Sequence, residues 1–204
     1  MSINFFLVRH AIKEKAIGDV PITSIGIKQA QATAHHLSTI PITAIVSSPL
    51  RRAKETADII AEETQSKPKV DSRLRERANW GDLPGQSFQE FVQMWDRCTR
   101  EPDYIPPVGD SARRACERLS SLLADLIKEY PSGSNIVIVT HGGLITDYLA
   151  NSFPEDVLNR FHPYFIPEQS NLVSECSITK LIYDSENYTI DYFASQEHLP
   201  VEGM

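Results

Sequence analysis

Two histidines and a small set of arginines stand at the ends of apolar runs, where their side chains could do chemistry on an anion. Arg9-His10 follows directly on the apolar run Ile3 to Val8, and Thr140-His141-Gly142-Gly143 follows on Ile136 to Val139. A third apolar segment, Thr43 to Val46, leads into Ser47-Ser48-Pro49-Leu50-Arg51-Arg52. Imidazole is the side chain that can serve as a neutral nucleophile or proton carrier near neutral pH. Guanidinium is always charged and offers phosphate a planar fork of donors. Two of each brought to one place make an anion site, and phosphate is the anion that fits it best. Each element is a weak signal alone. An Arg-His pair is ordinarily a surface pair, adjacent arginines on a helix point apart, and a histidine before two glycines can simply mark a tight turn. Their common position at the end of an apolar run raises the joint reading.

The elements that would hold them follow from pattern. Ile3 to Val8 is a short run of branched and aromatic residues, the mark of a strand covered on both faces. Thr23-Ser24 can cap a helix in which Ile27, Ala30, Ala34 and Leu37 recur at helical spacing until Pro41. Thr43 to Val46 reads as a second strand. Ser48-Pro49 reads as a helix start, serine as N-cap and proline at the first helical position, with Leu50, Ala53, Ala57, Ile60 and Ala61 on one face. Two strand-then-helix units predict a parallel sheet with helices packed on it. Val70 lies in a possible third strand, and Trp80 to Gly85 is a loop. Helices are predicted near Phe88 to Cys98 and from Asp110 to Tyr130, the second with a clear stripe through Leu119, Leu123 and Ile127. Two closing strands are expected near Cys176 to Tyr183 and Tyr188 to Phe193. The expected architecture is a three-layer α/β/α sandwich with a mostly parallel central sheet. It forms one domain over residues 1–204, with a helical insertion at about 80–130 over one sheet edge. In such a sheet ligands gather at the carboxyl ends of the strands, which brings His10, Arg52 and His141 to one pocket.

Composition narrows the class. At 204 residues, 41% hydrophobic and 23% charged, the chain can bury a full core without staples. Its 20 basic and 27 acidic residues leave a formal charge of −7, so no overall basic surface exists to attract nucleic acid. Cys98, Cys116 and Cys176 are odd in number and far apart, which argues against a disulfide framework or a zinc site and suits a reducing compartment. No segment is long enough to cross a bilayer, and the first apolar run is too short for a signal peptide. A cytoplasmic protein that needs no metal or other cofactor is expected, with a small phosphorylated substrate and no nucleic-acid or membrane partner. Oligomeric state is unreadable.

The chain resembles the histidine phosphatase superfamily, also called phosphoglycerate mutase-like. The resemblance rests on Leu7-Val8-Arg9-His10-Ala11, Asp19-Val20-Pro21-Ile22-Thr23 through Gln29-Ala30, and Ser47-Ser48-Pro49-Leu50-Arg51-Arg52-Ala53 through Glu55-Thr56-Ala57. It continues in Leu74-Arg75-Glu76-Arg77 and Val139-Thr140-His141-Gly142-Gly143, in the family's order from residue 5 to about 150. The resemblance implies that His10 is the nucleophile, that Arg9, Arg52 and His141 bind the phosphoryl group, and that Glu76 is the general acid. Arg52 is preferred to Arg51 because it directly precedes Ala53. Arg77 and Gly142 match positions that can touch the substrate.

Some residues depart from the family pattern. Ala11 replaces the more usual glycine. The stretch from His10 to Asp19 is shorter than in the mutases, and Asp96 stands where they carry a second arginine. The short early stretch and Asp96 favour phosphomonoester hydrolysis over its nearest rival, phosphoglycerate mutase-type transfer. A weakly active phosphate-binding regulatory role, at which Ala11 alone could hint, is opposed by the intact His10, Arg52, Glu76 and His141. His35, His36, His162 and His198 are expected to be structural. The Trp80 loop and the middle helices, where specificity is expected, carry no motif that selects among sugar phosphates, nucleotides, small organic phosphates and phosphoproteins.

Overall fold

Apolar runs that alternate between two buried faces make the centre of the molecule, which the computed structural model describes over residues 2–200. Strand β1 is Ile3–Arg9, β2 Ala44–Ser47, β3 Lys69–Val70, β4 Asn135–Thr140, β5 Ile178–Asp184 and β6 Asn187–Ser195. They form one sheet in the order β3-β2-β4-β1-β5-β6. The pairings from β3 through β1 are parallel, and those of β5 with β1 and with β6 are antiparallel. The mostly parallel sheet expected from the sequence is therefore present.

Among the described residues seven α-helices occur in chain order: α1 Ser24–Ser38, α2 Arg51–Glu63, α3 Phe88–Arg100, α4 Ala112–Glu129, α5 Gly142–Ser152, α6 Glu155–Leu158 and α7 Phe165–Leu172. Because side chains alternate along a strand, Phe6, Val8, Ile45, Val137 and Val139 pack on one side against Ala34, Leu37, Ala53, Ala57 and Ile60 of α1 and α2. Phe5, Leu7, Val46, Ile136 and Ile138 pack on the other against α4, α5 and α7 through Leu119, Leu123, Ile145, Leu149 and Phe165. These are the three layers. Within the stretch at about 80–130, α4 is a full member of the second layer, whereas only Cys98 of α3 is buried. No helix among the described residues is long and apolar enough to cross a membrane.

Local differences from the sequence reading have identifiable causes. Thr23 caps α1 as expected, accepting the Gly26 N–H at 3.0 Å. The core face, however, is Gly26, Ala30, Thr33, Ala34 and Leu37, and Ile27 is 41% exposed. Gly26 sits there because the Ile12 carbonyl leaves no room for a Cβ. Helix α2 starts at Arg51 rather than at Ser48-Pro49, with Leu50 as a cap residue that has no capping side chain. The Ser48 hydroxyl is committed elsewhere, as described below. Helices α6 and α7 are absent from the sequence reading. Pro154 precedes α6 and Pro167 lies in the first turn of α7, where a missing N–H is tolerated but the helical pattern is obscured.

Candidate active site

The register of one strand pair places both histidines. β1 and β4 pair Val8 with Val139 and Arg9 with Thr140, so the chain leaves both strands at the same level. His10 and His141 come next and meet edge to face, ring centroids 5.2 Å apart. The His10 N–H donates to the Thr140 carbonyl at 2.9 Å, carrying the pairing one step past the strands. On the other side of β4, the Ser48 N–H donates to the Val139 carbonyl at 2.9 Å. The ends of β1, β4 and β2 are thereby brought together as the sequence reading requires.

His10 is buried and its two nitrogens are distinguished. Nδ1 lies 2.8 Å from the Ala11 carbonyl. A carbonyl can only accept, so Nδ1 carries the proton and Nε2 keeps its lone pair. Nε2 accepts from the Nε–H of Arg52 at 3.1 Å. Burial foremost, then the charges of Arg52 and Arg9, hold His10 well below the usual imidazole range, so the ring is neutral. The preceding and following backbone is tied down as well: the Ala11 N–H donates to Thr56 Oγ1 at 3.0 Å, and that hydroxyl donates to the Arg52 carbonyl at 2.7 Å.

His141 is fully buried beside His10 and does not line the cavity itself. Its Nε2 lies 2.7 Å from Ser48 Oγ, which receives the Leu50 N–H at 3.4 Å. A hydroxyl has one proton and two lone pairs, so with the Leu50 N–H on one lone pair it can still donate to Nε2 or accept from it. Nδ1 is buried with no protein partner, a costly condition that suits an atom held for a ligand. Burial first, then Arg52, His10 and Arg9, depress this imidazole too.

Neighbouring positions on a helix diverge by about 100°, and the two arginines of α2 separate accordingly. Arg52 is buried, with Nη1 donating to Asn79 Oδ1 at 3.2 Å. Arg51 is exposed and bonded to Glu55 Oε1 at 2.7 Å. Arg9 donates from Nη2 to Glu175 Oε1 at 2.5 Å and from Nη1 to the Val173 carbonyl, while its buried Nε has no partner.

Glu76 is held by two backbone donors. Oε1 accepts the Arg77 N–H and Oε2 the Gly143 N–H, both at 3.0 Å. Gly143 has to be glycine: a Cβ there would stand 2.5 Å from Trp95 Cη2 and 2.7 Å from Glu76 Oε1. Gly142 opens α5 and lines the cavity against the Arg9 side chain.

Arg77 is placed differently from the sequence expectation of substrate contact. Its guanidinium is buried against Asp147 of α5 at 2.5 Å, with side-chain exposures of 2% and 1%. It also donates to the Trp95 carbonyl and Thr99 Oγ1, and lies 3.9 Å from the Trp95 ring centre. The backbone of Arg77 serves Glu76, while its charge joins α3 to α5. Burial pushes the Asp147 carboxyl up to about 7 against the opposing pull of Arg77.

Arg9, His10, Arg52, Glu76, Gly142 and Gly143 share one cavity of about 320 Å³. Its outer part is lined by Trp80, Phe88, Phe91, Val92 and Trp95, with Lys13, Asn79, Ser170 and Glu175 between them. Sequence reasoning missed Lys13, Asn79, Trp95 and Glu175 as cavity residues, because none stands in a motif or at the end of an apolar run. Ser48 was visible in its motif, but as a helix cap.

The family model described as histidine phosphatase superfamily (branch 1) matches residues 5–196. An uncharacterized phosphatase of Bacillus subtilis, PhoE, is 29% identical over 202 residues, 95% of each chain. A probable phosphoglycerate mutase of Klebsiella pneumoniae, GpmB, is 33% identical over 152 residues, 69% of this chain and 70% of its own. Among solved structures, a mycobacterial glucosyl-3-phosphoglycerate phosphatase in complex with inorganic phosphate superposes with a TM-score of 0.75. It is 25% identical and covers 97% of this chain and 99% of its own.

Proposed function

The chain belongs to the histidine phosphatase superfamily, and from that premise we propose a phosphomonoester hydrolase that needs no metal and works through a phosphohistidine on His10. The observation that carries the reading is the state of His10: Nδ1–H fixed on the Ala11 carbonyl, and Nε2 lone pair turned toward a guanidinium.

In the first step the Nε2 lone pair attacks phosphorus and the P–O ester bond breaks. The Glu76 carboxylate relays to the leaving oxygen the proton that the ester brings as its monoanion. The Arg52 Nε–H, which rests on Nε2, shifts to a phosphoryl oxygen as the nitrogen becomes bonded. As His10 gains positive charge, its Nδ1–H bond to Ala11 strengthens. Charge spreading over the phosphoryl oxygens meets Arg9 and Arg52, fixed before the reaction, with the unpartnered Nδ1 of His141 behind them. In the second step water attacks phosphorus, the Glu76 carboxylate takes its proton, and the P–N bond breaks with its electron pair returning to Nε2. Inorganic phosphate leaves.

A small phosphorylated molecule is the substrate of this reading, and three free, buried cysteines fit a cytoplasmic setting. Similarity to a probable mutase favours phosphoglycerate transfer as the second reading, and a coupled 3- to 2-phosphoglycerate assay separates the two. The direct test is to trap the enzyme with labelled substrate. The label should be acid-labile and base-stable, and absent from His10→Ala together with turnover. Label on a serine or aspartate refutes the proposal.

A further inference from the structure

Helix α3 has an apolar side with little to pack on. Phe88, Phe91, Val92 and Trp95 fall at i, i+3, i+4 and i+7, the spacing of one helical stripe. In a folded chain such a stripe normally faces a core. Here Phe88 is 59% exposed and Val92 38% exposed. All four instead line the outer part of the active-site cavity, and Trp80 joins them from its loop, its ring in edge contact with Phe88 at 5.0 Å.

The wall is formed in advance of any ligand. The Trp95 ring is stacked by the buried Arg77 guanidinium, its indole N–H donates to Ser170 Oγ at 3.3 Å, and its edge fits against Gly143. Recognition by a rigid aromatic surface avoids the entropy of ordering side chains on binding.

The same cavity is poor in charge suited to a second anionic group. Its lining cations are Arg9, Lys13 and Arg52. Arg9 is paired with Glu175, Arg52 rests on His10 and Asn79, and the Lys13 ammonium donates to the neighbouring Glu14 carbonyl at 3.4 Å. A substrate carboxylate would meet five apolar side chains, with Lys13, among the described residues, the one lining cation that holds no acid or catalytic group.

We propose, on the footing of the hydrolase reading above, that the Trp80–α3 wall holds the leaving group, and that the substrates are phosphomonoesters of apolar or aromatic alcohols without a carboxylate. The phosphoryl end sits on the strand termini and the carbon skeleton lies along α3.

Straight-chain alkyl phosphates test this, because butyl, hexyl and octyl leaving oxygens are nearly equal in basicity and differ only in apolar length. With the full chain, kcat/KM should rise about two- to fourfold per methylene until the wall is covered, the range between half and full burial of a CH₂. Phe88→Ala removes an exposed side chain and should flatten that slope. A flat wild-type slope overturns the inference while turnover of the esters leaves the hydrolase reading standing. So does a preference for 3-phosphoglycerate or phosphoserine over hexyl phosphate, or an unchanged slope in both Phe88→Ala and Val92→Ala. Failure to hydrolyse any ester, with no label on His10, overturns both.

Discussion

Replacing Glu76 by glutamine tests the proton carrier, and the structure says what else the change does. The carboxylate receives two backbone N–H groups, one on each oxygen. An amide keeps one acceptor and sets its NH₂ against the other N–H. Losing a bond to a charged acceptor costs about 1.5–3 kcal/mol. For a chain of this length that lowers Tm by roughly 3–12 °C, at about 2–4 °C per kcal/mol, so the variant still folds. Its kinetics should then split by leaving group. An alkoxide needs a proton as it departs, and without the acid kcat/KM for alkyl phosphates should fall by about 10²–10⁴. p-Nitrophenolate leaves without one, so its first turnover should be slowed only slightly. Dephosphorylation still needs a base for the attacking water. Rapid-quench traces with p-nitrophenyl phosphate should therefore show a burst near one nitrophenolate per site and then a slow steady state. Equal slowing of both substrates with no burst refutes the assignment of Glu76.

Arg52→Ala should lower kcat/KM by about 10²–10³, the loss usual for one transition-state donor, while Arg51→Ala should change it little because that side chain is tied to Glu55 outside the cavity. Steady-state rates on one substrate check both. His10 and His141 have folded pKa values depressed by burial and by nearby guanidiniums, whereas the unfolded chain takes up these protons near pH 6.5. The stability gained from keeping both rings neutral is thus complete above about pH 6.5 and is lost as pH falls below it toward the folded values. Melting curves should show that decline, made shallower by His141→Gln, and the acid limb of kcat/KM should lie below the ordinary histidine range. Gly143→Ala should reduce kcat for alkyl phosphates by about tenfold or more, since a 1 Å displacement of Glu76 or Trp95 is already costly; an unchanged kcat would show that the close contact relaxes harmlessly.

What was legible in the sequence was the part governed by periodicity. Apolar runs ending in Arg9-His10, Ser47-Ser48 and Thr140-His141 announced strands whose carboxyl ends converge, and the structure brings those ends together. Arg52 was separable from Arg51 by motif, and the helix geometry agrees. The failures share a cause: a side chain whose best partner lies far away in sequence. Ser48 looks like a helix cap, but its hydroxyl serves His141, and α2 begins later. Arg77 looks like a substrate contact, but Asp147 holds its guanidinium. Asn79, Trp95 and Glu175 belong to loops and a helix whose placement over the cavity leaves no local trace. Ile27 obeys helical spacing yet faces outward, because Gly26 and Thr33 allow a closer approach than any large residue would.

The placement of β1 also orders events in time. Its sheet neighbours are β4 and β5, which begin at Asn135 and Ile178, so the first strand synthesised stays without either partner until the last third of the chain exists. β2 and β3, with α1 and α2, are complete much earlier. A ribosome-bound fragment therefore carries His10 and Arg52 without His141 and without the strand pair that sets the spacing of the two histidines. Long-range parallel pairing of this kind is slow, and it leaves an apolar edge open meanwhile. Binding of phosphate or vanadate would report completion of the whole sheet rather than of any local piece. On the proposed reading of the site, phosphate in solution would by mass action favour the folded sheet over every partly folded form.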